Sequence, residues 1–284
     1  MSIISISGKI GSGKDTVGKI IQILTDCPHL NNEAVEKWLN RALTNPKFKN
    51  KKWASALKDI VCLLIGCTRE QLEDHEFKDT PLGEEWTYYA YAKGFWYHSD
   101  DNPSHKMMDS VQCSKEHYEE ELRVNWQTAY KTVYTPRLLL QHIGTELFRN
   151  QLLDNIWVNA LMSKYKHTNY YPKVREVSEA ETKADSPILN TYPNWIITDT
   201  RFPNELKAVK DKGGISILVQ KPCQGCGITN SHANGCTMEG EVLHTSETSL
   251  DNSEFDFYIH NDGSILKLIE KVREILTKER IINN

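Results

Sequence analysis

The chain has 284 residues, 34 Lys plus Arg against 38 Asp plus Glu, and a formal net charge of −4. That balance argues against a whole-molecule electrostatic grip on nucleic acid, which needs a basic face. With 25% charged and 39% apolar residues the composition is that of a globular protein with a real core, and no apolar run approaches the ~18 residues of a membrane span. The length fits one large domain or two small ones. Met1 to Ile6 lacks the basic start and cleavage site of a signal peptide. Of seven Cys, Cys27, Cys62, Cys67 and Cys113 are scattered, which is no disulfide framework, so a reducing, cytoplasmic compartment is expected.

Ile3 to Ser7 is short and β-branched and reads as a buried strand. A glycine-rich loop follows, and then Val17, Ile20, Ile21 and Leu24 at helical spacing. Val35, Trp38, Leu39, Ala42 and Leu43 repeat that spacing, as do Leu57, Ile60, Val61 and Leu64, stopped by Gly66. From 74 to 130 aromatics gather (Trp86, Tyr88, Tyr89, Tyr91, Phe95, Trp96, Tyr97). This is either a lid or substrate flap, or an ordinary packed insertion. Thr135-Pro136 is a helix start, with Leu140, Ile143, Leu147 and Phe148 as its apolar face. Leu153, Ile156, Trp157, Ala160 and Leu161 form the next helix. Residues 168–187 are polar and expected to be a mobile loop. Trp195 to Asp199 is a buried strand ending in a carboxylate. Pro203 opens a helix that ends at Gly213-Gly214. Ile215 to Val219 and Phe257 to His260 are further strands, and Ser264 caps a final helix carrying Ile265, Leu268, Ile269, Val272 and Leu276. Strands alternating with helices imply a mostly parallel sheet covered on both faces.

Gly8, Lys9, Gly11, Ser12, Gly13, Lys14, Asp15 and Thr16 lie in the stretch that reads as a P-loop, Gly8-x4-Gly13-Lys14. Glycines let backbone N–H groups turn toward phosphate oxygens, and the following helix adds its dipole. Lys14, expected to face solvent, reaches the β- and γ-phosphates. The next residue is usually a Ser or Thr that holds Mg²⁺. Here it is Asp15, which either holds the metal through water, leaves that task to Thr16, or caps the helix. Asp199 sits where P-loop enzymes place a second carboxylate near the metal, or caps a helix.

Two arginines fall where a helix dipole disfavours them: Arg137 in a first turn and Arg201 just before Pro203. A bound anion reverses that sign, which points to a second phosphate-bearing substrate; ordinary surface arginines are the alternative. Cys223, Cys226, His232 and Cys236 offer three thiolates and an imidazole, the donor set of a tetrahedral zinc site. Reduced thiols in a surface loop are the competing reading.

With the P-loop, Thr135-Pro136-Arg137, Gly144-Thr145-Glu146, Asp154-x-x-Trp157 and Thr198-Asp199-Thr200-Arg201 in this order, the chain resembles the deoxynucleoside monophosphate kinases of large DNA bacteriophages. His244-Thr245-Ser246-Glu247 and Asn261-Asp262-Gly263-Ser264 fit too. In that family Asp follows the P-loop lysine, so Asp15 is expected. The resemblance implies an α/β, three-layer P-loop kinase fold with inserted substrate or lid segments. It implies transfer of the ATP γ-phosphoryl group to a deoxynucleoside 5′-monophosphate, with Mg²⁺, in nucleotide supply for DNA synthesis. It puts the loop and Lys14 on ATP and Arg201 near the transferring phosphoryl, so that Lys14, Arg201 and the metal-side Asp199 make up the expected catalytic set. Lys58, Arg137, Gly144, Thr145, Asp154, Trp157 and Glu205 go to the acceptor nucleotide. Trp157 either stacks on a base or is a core residue.

The expected division is a kinase core of 1–73 and 131–284, an aromatic-rich insertion of 74–130, and a Cys-rich loop of 222–244 within the core. Neither the insertion nor the Cys-rich loop belongs to the family pattern. No membrane or direct nucleic-acid partner is expected, a homodimer is open, and a phage-encoded chain would act in the host cytoplasm. The competing functions are a P-loop kinase for another small phosphate, such as phosphomevalonate, and a nucleotide-regulated zinc or nucleic-acid-binding module.

Overall fold

A computed structural model of the chain describes residues 3–99, 102–124, 129–170, 189–222 and 245–283. Its strands in chain order are β1 (Ile3–Ser7), β2 (Phe48–Lys51), β3 (Thr87–Ser99), β4 (Asn102–Gln112), β5 (Ala129–Val133), β6 (Thr168–Tyr170), β7 (Leu189–Thr191), β8 (Asn194–Ile197), β9 (Ile215–Gln220) and β10 (Phe257–His260). Its α-helices are α1 (Lys14–Asp26), α2 (Asn32–Trp38), α3 (Ser55–Ile65), α4 (Arg69–Glu73), α5 (His75–Asp79), α6 (Lys115–Val124), α7 (Pro136–Gln141), α8 (Ile156–Met162), α9 (Pro203–Lys210), α10 (Thr245–Thr248) and α11 (Ile265–Lys278). The chain divides into two compact units, Met1–Ala56 with Leu152–Asn284, and Leu57–Gln151.

The first unit is built on a five-stranded sheet of order β10-β9-β1-β8-β2, and every neighbouring pair is parallel. β1 is buried at all five positions, as a central parallel strand covered on both faces must be. Ile4 and Ile6 pack with Val17, Ile20, Ile21 and Leu24 of α1 and with Leu268, Ile269, Val272 and Leu276 of α11. Ile3 and Ile197 pack on the opposite face with Val158 and Leu161 of α8 and Val209 of α9. The strand period of two thus splits β1 between two cores, giving three layers.

The second unit carries a three-stranded antiparallel sheet, β4-β3-β5, through the aromatic-rich stretch that was expected to be a lid, a substrate flap or an ordinary packed insertion. After α7 the chain continues as a π-helix, His142–Leu152. Its wider turn shifts the apolar face expected from a 3.6-residue period. Ile143, Gly144, Thr145 and Arg149 are buried, while Leu147 is turned outward. Two other expectations are also corrected. α2 stops at Trp38 instead of running on to Leu43. Leu153 lies outside α8 and is exposed. β2, whose Phe48-Lys49-Asn50-Lys51 buries Phe48 alone, carries no alternation and escaped the sequence reading. β6 and β7 pair across 168–191; residues 171–188 of the expected mobile loop lie outside the described residues. Among the described residues no helix is long and apolar enough to cross a membrane.

Candidate active site

In a parallel sheet every strand delivers its following loop to the same edge, and ligands bind beyond those carboxyl ends. β1 delivers the P-loop, β8 delivers Thr198 to Arg201, β2 delivers Lys52 to Ala54, and β10 delivers Asn261. Gly8, Gly11 and Gly13 take φ of 149°, 74° and 99°. A Cβ on Gly8 would lie 2.3 Å from the Val219 carbonyl oxygen and 2.6 Å from Ser12 Oγ. Gly8→Ala is therefore expected to cost about 2 kcal/mol or more of stability by strain and overpacking, read from chemical denaturation midpoints. The loop is braced from outside. Asn261 Nδ2 donates to the Ser12 carbonyl at 2.9 Å, and Lys9 Nζ donates to Asp251 Oδ1 at 2.7 Å.

Two features leave the loop ready for an anion. α1 has no side-chain cap at Gly13, like α8 and α9 and unlike α2, α4, α5, α7 and α11, which are capped by Asn31, Thr68, Asp74, Thr135 and Ser264. Ser12 Oγ is buried with no hydrogen-bond partner among the described residues, a state costing about 1–3 kcal/mol until an acceptor or donor arrives. A phosphate oxygen meets both needs, so the residues present fit a bound nucleotide phosphate.

Lys14 is half-buried, not solvent-facing as expected, and its Nζ donates to the Lys9 carbonyl at 2.7 Å. Burial, and then the Arg201 charge, push its pKa down to about 8, against the opposing pull of Asp15 and Asp199. Asp15 Oδ1 accepts from Thr198 Oγ1 at 2.7 Å, so the residue after the P-loop lysine is tied to the end of β8. Lys52 Nζ lies 3.5 Å from the same oxygen. Asp199 accepts from the Trp53 and Ala54 N–H groups at 2.9 and 3.1 Å. It holds the loop entering α3, close to the capping alternative, and burial raises its carboxyl above the ordinary range. Glu205 is buried and accepts from the Arg201 N–H at 2.8 Å and the Phe202 N–H at 3.2 Å. It fixes the backbone that carries Arg201.

The remaining candidates are found elsewhere in their units. In the first, Trp157 is 5% exposed, leaving its indole little surface for stacking in this state. Asp154 accepts from Asn204 Nδ2 at 3.2 Å through Oδ2. In the second, Arg137 is held bidentately by Asp79, Nε to Oδ1 at 2.5 Å and one terminal nitrogen to Oδ2 at 3.0 Å. That pair supplies the anion a cation at the α7 N-terminus calls for, and it holds the Asp79 carboxyl below its usual range. Lys58 Nζ pairs with Glu73 at 2.5 Å. A Cβ on Gly144 would lie 2.5 Å from Leu57 Cδ2, the tip of a flexible side chain that would have to move aside, so close packing accounts for a small residue there. Thr145 is buried. Cys223, Cys226, His232 and Cys236 lie outside the described residues, and no cluster of three metal-ligating side chains occurs among the described ones.

The family model for deoxynucleotide monophosphate kinases matches residues 2–272. The chain belongs to this family. The kinase is 22% identical over 225 residues to the deoxynucleoside-5′-monophosphate kinase of Escherichia phage T5, covering 74% of this chain and 72% of that protein. It is 27% identical over 120 residues to a protein of Acanthamoeba polyphaga mimivirus provisionally named a deoxynucleotide monophosphate kinase, covering 42% of this chain and 54% of that one. Family membership makes it a nucleotide kinase, a phosphotransferase whose acceptor is a phosphate group. Asn261, Asp251, Thr198 and Lys52 were not singled out individually from the sequence as site residues. Their partners stand 249, 242 and 183 residues away for the first three, and no short-range pattern marks such pairs.

Proposed function

We propose that the kinase transfers the γ-phosphoryl group of ATP to the 5′-phosphate of a deoxynucleoside monophosphate, in nucleotide supply for DNA synthesis. The observation that supports this most is the uncapped, glycine-formed loop with its orphan Ser12 hydroxyl and Lys14. The name of the phage T5 relative supports the choice of acceptor. The acceptor phosphate is already an anionic nucleophile, so no strong base is required. The chain's residues position the two phosphates and offset their charge. Loop N–H groups and Lys14 hold the donor, and Arg201, braced by Glu205, meets the phosphoryl in transfer. Arg137 takes the acceptor phosphate in exchange for Asp79. Asp15 and Thr16 are the oxygen donors at the loop that would hold Mg²⁺, which when bound neutralises charge on the phosphate oxygens.

Coupled ADP release with a panel of monophosphates tests this reading. Turnover of deoxynucleoside monophosphates is expected, and turnover of phosphomevalonate in their place overturns it.

The Lys14 pKa carries a further prediction. Triphosphate binding favours the charged amine and pulls its pKa back up. Above about pH 8 binding must therefore take up a proton, and the ATP KM is expected to rise toward tenfold per pH unit. The KM profile from pH 6.5 to 9.5 checks the sign, and Lys14→Arg should flatten it.

A further inference from the structure

Lys52 follows the edge strand β2, whose Lys51 is in register with Ile197 of β8. Its surroundings hold it in place with unusual care. Asp199 binds the N–H groups of the two residues after it. Trp53, 2% exposed, is sunk in the core, and its Nε1 donates to Thr200 Oγ1 at 3.1 Å. Thr200 Oγ1 is in turn 2.7 Å from Ser5 Oγ on β1. The backbone at Lys52 is thus tied to both strands that build the P-loop edge. The side chain remains partly exposed, at 31%, and reaches to 3.5 Å from Asp15.

That distance is long for a committed ion pair, and the same Asp15 oxygen already accepts the Thr198 hydroxyl at 2.7 Å. Lys52 is also close enough to bear on both Lys14 and Asp199 electrostatically. Lys52 thus stands beside Asp15, the residue that follows the P-loop lysine, and its charge and that of Arg201 both bear on Lys14. Gathering like charges beside a braced loop costs free energy that a bound anion offsets.

We infer that Lys52 is a third phosphate-contacting cation of this site, reaching the phosphoryl group in transfer. The inference rests on the kinase reading above. In the step it serves, an oxygen of the acceptor phosphate forms a bond to the γ-phosphorus. The bond from that phosphorus to the β,γ-bridging oxygen breaks, and its electron pair leaves with ADP. Lys52 keeps its proton throughout and offsets charge that spreads over the transferring oxygens.

The test compares Lys52→Met, which keeps the apolar stem and removes the charge, with Lys52→Arg. For each, kcat, both KM values and Tm are measured alongside Lys14→Ala. Lys52→Met should lower kcat by about ten- to a hundredfold, with the ATP KM changed less than about threefold and Tm held. Lys52→Arg should recover most of the loss. An unchanged kcat in Lys52→Met, while Lys14→Ala is inactive, overturns the inference and leaves the kinase reading standing. A Tm lowered in step with kcat reduces Lys52 to a structural counter-ion for Asp15 and overturns it too. A wild-type protein that forms no ADP with any monophosphate overturns both.

Discussion

Lys14→Ala is expected to lower phosphoryl transfer by about three orders of magnitude or more and to leave the fold as stable as before. The two halves of this expectation have the same physical origin. In the substrate-free chain the Lys14 ammonium is half-buried beside Arg201, and its pKa is depressed to about 8. A lysine whose folded pKa lies below its unfolded value is a net cost to stability wherever it remains charged, at pH values below the folded pKa. Removing it relieves that cost and forfeits one hydrogen bond to the Lys9 carbonyl. On the proposed reading the same ammonium meets the donor phosphates in turnover, and alanine puts no charge in its place. Thermal melts should show Tm unchanged or raised at neutral pH, and coupled ADP release should show the loss. Near-normal turnover in a folded variant would remove the loop from the mechanism.

The second large effect separates the two arginines. On the proposed reading Arg201 meets charge that shifts during transfer, so Arg201→Ala should lower kcat by about ten- to a hundredfold, with ATP and acceptor binding less changed. Its backbone is set by Glu205, so Glu205→Gln, which keeps one acceptor for the Arg201 N–H, should fall short of that loss. Arg137→Ala should raise the acceptor KM by a similar factor at nearly constant kcat. Asp79 holds Arg137 in a bidentate pair, and any acceptor phosphate must compete with that carboxylate. Asp79→Asn should therefore lower the acceptor KM. Steady-state kinetics on the four variants decide the matter. If Asp79→Asn and Arg137→Ala shift the acceptor KM in the same direction, Arg137 is a structural ion-pair partner and not an acceptor contact.

The sequence by itself determined whatever depends on near neighbours in the chain. The β-branched run of β1, the glycines of the loop, the helical stripe of α1, the Thr135 and Ser264 caps and the amphipathic α11 are local preferences. Each agrees with the sheet and core it joins. The glycine-rich loop between β1 and α1 was legible for the same reason, since its turns are set by seven consecutive residues, Gly8 to Lys14. Other features had no local signature. β2 is an edge strand with one buried residue, so its place follows from pairing with β8 and not from its own pattern. The π-helix replaced an expected 3.6-residue face, burying Arg149 and turning Leu147 out. What Asp15, Asp199, Glu205 and Arg137 touch was decided by tertiary structure. So was the arrival of Lys52 beside Asp15 and of Asn261 beneath Ser12. These contacts join segments that a parallel sheet brings to one edge, or a helix pair to one face, and only the register of strands and helices sets which side chain meets which.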